Sequence, residues 1–282
     1  MPGTLFVVAT PIGNLEDITA RALRVLREAA LIAAEDTRRT AHLLARYAIA
    51  TPTTSLHEHN ETSKSAALVA RLAGGESIAL VSDAGTPTVS DPGVRFIRAA
   101  IEAGVRVESI PGPSAALTAL AASGLPSDTF LFMGFPPIRA KARAAWLDTV
   151  EGAGRTVVFF EAPHRIQRTL SEIERRLGDV NAVVARELTK IHEELVRGPI
   201  STIISRVGVA RGEFTVVLDV GHKTESVPPE PASERDLLVE FCHLTDLEGL
   251  KRQDAIAKLA SRYGLPRNKV YSAVEKAKKS GS

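Results

Sequence analysis

The stretch from Ile78 to Gly93 constrains the fold of this chain more than any other. Four apolar residues, Ile78, Ala79, Leu80 and Val81, open into Ser82-Asp83-Ala84-Gly85-Thr86-Pro87 and close at Asp91-Pro92-Gly93. A short apolar run bounded by turn residues, then the helical spacing of Val94, Ile97, Arg98 and Ile101, predicts a buried strand, a loop and a helix. Ligands of open α/β sheets sit at the carboxyl ends of such strands. Gly85 lets the backbone approach a ligand, Pro87 and Pro92 stiffen the loop, and Asp83 offers a carboxylate to an ammonium or to sugar hydroxyls. Asp83 and Asp91 also suit turn and helix capping, a common use of aspartate.

The strand-and-helix pattern continues on both sides. Strands are predicted at Leu5–Thr10, Leu31–Ala34, Pro52–Leu56, Ile78–Val81 and Val105–Ile110, with helices near Thr19–Ala29, around Ala41–Ala45, and at Thr62–Leu72, Val94–Ala103 and Ala115–Ser123. Gly124-Leu125-Pro126-Ser127 then marks a boundary, after which the pattern restarts. Strands are predicted at Phe130–Gly134, Thr156–Glu161, Ala182–Arg186, Glu193–Arg197 and Phe214–Val220, and helices at Ala140–Val150 and Ile166–Leu177. The strand from Glu193 is expected to be antiparallel because no long helix precedes it. The expected organisation is an N-terminal α/β domain over 1–123, a second over 124–222, a proline-bearing linker over 223–232, and an all-helical appendage over 233–282. Ser233 and Asp236 have the spacing of a capping box for the first appendage helix.

A length of 282 residues suits about two domains. The single cysteine, Cys242, excludes a disulfide framework and a cysteine-based zinc site, and a reducing cytoplasm is expected. No basic leader and no run near ~20 apolar residues supports secretion or membrane spanning. Net charge is +2 but unevenly placed: residues 251–282 hold nine Lys/Arg against Asp254 and Glu275, a net +7, which leaves the rest at −5. A basic tail on an acidic body suits a polyanionic partner, and equally a solvated lysine-rich helix end.

The chain has no Walker loop, no Gly-x-Gly-x-x-Gly and no serine elbow. His57 and His59 lack a third ligand at a usual spacing, so no metal site is expected. Asp36, His57 and Asp83 each follow a predicted strand end, and parallel strands converge on one edge. Glu161-Ala162-Pro163-His164-Arg165 and Arg186-Glu187-Leu188-Thr189-Lys190 do the same in the second half. Two sheets with charged edges imply a cleft between the domains.

Five segments, taken in order, carry a resemblance: Thr10-Pro11-Ile12-Gly13-Asn14-Leu15, Glu35-Asp36-Thr37-Arg38, Ser82-Asp83-Ala84-Gly85-Thr86-Pro87, Pro111-Gly112-Pro113-Ser114-Ala115 and Phe160-Glu161-Ala162-Pro163-His164-Arg165. Over roughly the first four fifths of its length the chain resembles the tetrapyrrole-methylase superfamily, the class III S-adenosylmethionine-dependent methyltransferases. Within it, the likeness is to the branch acting on the ribose 2′-oxygen of a cytidine in small-subunit ribosomal RNA. The glycine-rich first loop of the tetrapyrrole enzymes appears here as Ala9-Thr10-Pro11-Ile12-Gly13, and their Gly-Asp-Pro loop as Ser82-Asp83-Ala84-Gly85. These departures count against a porphyrin substrate and keep the aspartate.

The resemblance implies two α/β domains holding S-adenosyl-L-methionine between them, usually within a homodimer, with the small ribosomal subunit as partner. It implies Pro11 beside the methionine and sulfonium, Asp83, Ala84, Gly85 and Thr86 around methionine and ribose, Ser114 and Ala115 from the fourth loop, and Phe214 and Thr215 near the adenine. Asp36, Arg38, His57, Asn60, Glu61, Arg165, Arg186 and Lys190 follow strand ends outside those loops and are expected to face the RNA. Glu161 is the expected general base, with His164 close behind. The competing readings are a tetrapyrrole C-methyltransferase and a non-catalytic RNA-binding module on the same scaffold.

Overall fold

The computed structural model describes residues 2–207, 212–221, 234–247, 250–263 and 265–280. It divides into two compact units, Met1–Gly221 and His222–Ser282.

The first half of the larger unit alternates β1 (Thr4–Val8), α1 (Ala20–Glu28), β2 (Leu31–Ala34), α2 (Thr37–Arg46), β3 (Thr53–Ser55), α3 (Glu61–Ala73), β4 (Ile78–Val81), α4 (Val94–Glu102) and β5 (Arg106–Ile110), followed by α5 (Ala115–Ser123). The strands form a sheet in the order β3-β2-β4-β1-β5, parallel at every pairing. β2 and β4 are buried at every residue because both faces are covered. Ile78 and Leu80 pack with Leu68, Leu72, Phe96 and Ala100 of α3 and α4. Ala79 and Val81, pointing the other way, pack with Ala22, Val25, Leu26, Leu43 and Leu44 of α1 and α2. Each buried Leu or Phe in these layers contributes about 1.5–3 kcal/mol relative to exposure.

The second half contains β6 (Phe130–Phe132), α6 (Ala140–Glu151), β7 (Thr156–Glu161), α7 (Ile166–Leu177), β8 (Asn181–Arg186), β9 (Glu194–Pro199), α8 (Ile200–Arg206) and β10 (Phe214–Asp219). Its sheet order is β6-β7-β10-β8-β9. β6 runs parallel to β7; β10 is antiparallel to both β7 and β8, and β9 is antiparallel to β8. The expected antiparallel strand is thus present. α8 was not anticipated, because Ile200, Ile203 and Ile204 lie beside a strand and make too short a run to display a helical period.

Helix α5 departs from the expected domain division. It lies in the segment expected to close the first domain, yet its buried residues Ala116, Ala119 and Leu120 pack against Val158, Val183, Ala185 and Val217 of the second sheet. Alanines on that face let the helix approach the strands closely. The two sheets therefore share a helix as well as a cleft.

In the smaller unit, α9 (Glu234–Cys242) runs into a π-helical turn at His243–Leu247, followed by α10 (Arg252–Tyr263) and α11 (Arg267–Ser280). In its core Ile256, Leu259 and Tyr263 of α10 pack with Val270 and Val274 of α11 and Phe241 of α9. The linker over 223–232 and Ser233 of the capping box lie outside the described residues.

Candidate functional site

The strand ends of the larger unit enclose a cleft of about 440 Å³. The β4 loop supplies one wall. Gly85 lies at φ +82°, which favours glycine, and pairs with Thr10 through hydrogen bonds in both directions, Thr10 N to Gly85 O at 2.8 Å and Gly85 N to Thr10 O at 3.0 Å. Further along, Thr88 at φ 73° and Ser90 at φ 70° hold strained left-handed conformations. The loop so folded presents Asp83, Ala84, Gly85, Thr86, Val89, Ser90 and Asp91 to the cleft. Glu35 and Arg39 enter from the end of β2 and the first turn of α2, and Ser114 and Ala115 from the start of α5. The opposite wall comes from the second sheet, with Phe135, Phe160, Glu161, Leu188, Phe214 and Thr215.

At Gly13 the first half comes into close approach with the segment Leu188–Lys190 of the second. A Cβ there would come within 2.6 Å of Lys190 Cγ and 2.9 Å of the Leu188 carbonyl oxygen. Any larger residue would push the Leu188 wall aside.

The electrostatics of the cleft are dominated by carboxylates. Asp83 accepts the Asp36 backbone N–H at 2.9 Å and faces Arg39 Nε at 3.5 Å. Its own N–H donates to Glu35 Oε2 at 3.3 Å. Burial raises the Glu35 pKa, opposed by that backbone hydrogen bond and reinforced by the Asp83 charge. Asp91 is raised to about 6, first by burial and then by repulsion from Glu35, while a hydrogen bond from Ser82 pulls the other way.

Of the residues expected around the cofactor, Asp83, Ala84, Gly85, Thr86, Ser114, Ala115, Phe214 and Thr215 all line this cleft, and Pro11 does not; its neighbour Ile12 takes that place. The residues expected at the RNA fare differently. Asp36 caps α2, accepting the Arg38 N–H at 2.9 Å, and the Arg38 guanidinium holds its carboxyl down to about 2. Arg38 is thereby tied to Asp36 at 2.7 Å while remaining largely exposed. His57 and Asn60 close the β3–α3 turn on each other, with the His57 N–H donating to Asn60 Oδ1 at 2.9 Å. Arg186 pairs with Glu194 at 3.7 Å, and Lys190 is held at 3.0 Å by both Glu187 and Glu213. None of these side chains lines the cleft.

Glu61 has to be corrected. It is buried, and its Oε1 accepts the backbone N–H groups of Gly93, Arg95 and Phe96 at 3.2, 2.7 and 3.1 Å. It caps α4, whose own N-cap, Gly93, has no side chain with which to do so.

The expected catalytic pair also separates. His164 is exposed in the turn before α7 and does not line the cleft. Glu161 touches the cleft, but its side chain has no exposed area. It pairs with Arg165 at 2.9 Å, accepts the Ala162 N–H at 2.8 Å, and accepts the Thr169 hydroxyl, which itself accepts from buried Arg143 at 2.7 Å. This network engages both oxygens of the carboxylate with donors and fixes it in place, away from a reacting hydroxyl. Glu161→Gln is therefore expected to cost about 3 kcal/mol of stability by leaving Arg165 without its carboxylate partner. A thermal melt checks this; an unchanged melt with lost catalysis would return Glu161 to the role of base.

Glu35, Arg39 and Asp91 were not assigned from the sequence. Asp91 stands in the same loop as Asp83, and only the left-handed Thr88 and Ser90 bring the two together. Glu35 joins them because β2 and β4 are neighbours, a fact of strand order.

Two sheets with a cleft of loops between them define the class. The Tetrapyrrole (Corrin/Porphyrin) Methylases family matches residues 4–204. The solved structure of uroporphyrin-III C-methyl transferase from Thermus thermophilus, complexed with S-adenyl homocysteine, shares this fold at a TM-score of 0.55 and 18% identity, covering 77% of this chain and 97% of that one. Ribosomal RNA small subunit methyltransferase I of Pseudomonas aeruginosa is 44% identical over 95% of each chain, and that of Halalkalibacterium halodurans 42% identical over 96% of this chain and 94% of its own. The chain belongs to the tetrapyrrole methylase family, in the branch formed by the ribosomal RNA small subunit methyltransferases I.

Proposed function

We propose that the protein transfers a methyl group from S-adenosyl-L-methionine to the ribose 2′-oxygen of a cytidine in small-subunit ribosomal RNA, as a homodimer in the cytoplasm. The observation that carries this reading is the convergence of the loops after β4 and β5 and the start of β10 on one cleft, in a chain that shares more than two fifths of its residues with ribosomal RNA methyltransferases. The lining suits the cofactor: Ile12, Leu188 and Phe214 offer apolar surface to an adenine, the Gly85 turn brings the backbone close, and carboxylates complement ammonium, sulfonium and ribose hydroxyls. When bound, S-adenosylmethionine supplies an electrophilic methyl group. Asp83 would hold the ammonium or hydroxyl end, and Phe214 and Thr215 the base. Methyl transfer is an in-line displacement, so alignment in a rigid cleft supplies much of the acceleration. The basic helical unit would contact phosphates without reading sequence.

Titration with S-adenosylhomocysteine, and mass mapping of ribosomal RNA after incubating the protein with small subunits from a deletion strain, test the proposal. The expected result is binding and one added methyl on a cytidine ribose. Ribosomal RNA binding with no affinity for S-adenosylhomocysteine would favour the non-catalytic reading instead.

A further inference from the structure

Six charged residues line the cleft, the five carboxylates Glu35, Asp83, Asp91, Glu161 and Glu213 and the guanidinium of Arg39. The carboxylates differ in how they are held. Glu161 is locked to Arg165, Asp83 faces Arg39, and Glu213 faces Lys190. Glu35 is engaged by the Asp83 N–H. Among the described residues no arginine or lysine forms an ion pair with Asp91, which sits half-buried on the cleft wall behind the strained Thr88 and Ser90. Strain of this kind, kept in a loop that lines a site, marks a side chain whose direction matters.

We infer that Asp91 is the catalytic base that takes the proton from the attacking ribose hydroxyl. The inference rests on the reading of the cleft as a ribose methyltransferase site. The hydroxyl oxygen forms its bond to the methyl carbon as the carbon–sulfur bond breaks, the bonding pair leaves with sulfur, and the hydroxyl proton passes to a carboxylate oxygen of Asp91, which later releases it to water. Among the cleft carboxylates Asp91 is suited to this because no cation holds it ionised, and because burial together with the neighbouring Glu35 and Asp83 charges raises its proton affinity. Glu35 and Asp83 also oppose its ionisation, and Arg39, next to Asp83, limits that opposition.

The sign of the pH dependence follows. With the pKa raised to about 6, the base is ionised above that pH and protonated below it, so kcat on small subunits should climb as pH rises through about 6 and then level. Asp91→Asn should lower kcat by on the order of 100-fold and abolish that limb, with S-adenosylhomocysteine affinity within about 3-fold of the unaltered chain. Asp91→Glu, which keeps a carboxylate, should recover part of the rate together with a pH limb. Retained binding in Asp91→Asn also reports that the cleft is folded. An Asp91→Asn enzyme with the original rate and pH limb overturns the inference, as does one that loses cofactor affinity in step with rate. If the unaltered chain methylates no ribose, the underlying functional reading fails, and the inference falls with it.

Discussion

Asp83→Asn is expected to weaken S-adenosylhomocysteine binding by about 100-fold, close to 3 kcal/mol, while the melting profile moves little. The size of the binding effect comes from charge: the carboxylate stands on the cleft wall, and an amide of the same shape cannot neutralise a bound ammonium. The small stability effect comes from geometry. Asp83 accepts one backbone N–H, from Asp36, and faces Arg39 at 3.5 Å, and its side chain keeps 23% of its surface exposed. Losing those contacts should cost on the order of 1 kcal/mol. Isothermal titration beside a thermal melt separates the two effects. Normal affinity in the variant would remove Asp83 from the cofactor site.

Glu61→Ala should produce the opposite pattern, a large loss of stability with the cleft chemistry untouched at low temperature. The three backbone N–H groups that Glu61 accepts have no substitute partner once the carboxylate is gone, and the carboxylate also balances the positive end of α4. Leaving buried donors unsatisfied costs about 1–3 kcal/mol each where water cannot enter, so a total near 3 kcal/mol is expected after partial relaxation. For a chain of this size that is a drop of roughly 6–12 °C in Tm. Glu61→Gln, which keeps an acceptor oxygen, should recover part of it. A melt unchanged in Glu61→Ala would mean that α4 finds its cap elsewhere.

What could be read from the sequence, and what could not, divides along the range of the interactions. The fold class and most elements are legible because strand burial and helix periodicity are local: Leu31–Ala34, Ala115–Ser123, Thr156–Glu161 and Ile166–Leu177 occupy the expected bounds. The loops expected around the cofactor reach the cleft because each follows directly from a strand end or opens a helix or strand. Glu61 was misplaced because its partners lie more than thirty residues away, across a strand and a strained loop. α5 was assigned to its sequence neighbours because its alanine-rich surface shows no preferred face. Charged residues after strand ends read as a binding edge, yet Asp36, His57 and Asn60 spend their polar atoms on caps and turns of their own segments.

The position of β10 in the second sheet has a consequence for synthesis. Among the described residues it is the last strand in sequence, yet it lies at the centre: β7 and β8 share no ladder and are joined only through it. A nascent chain that has emerged short of Phe214 holds two separate strand pairs, β6 with β7 and β8 with β9, and the apolar flanks of both remain open for the final strand. The first sheet has all its strands once Ile110 has left the ribosome. The second sheet therefore cannot close before Phe214–Asp219 is available, and because Phe214 and Thr215 open that strand, the cleft lining is complete only once it has joined.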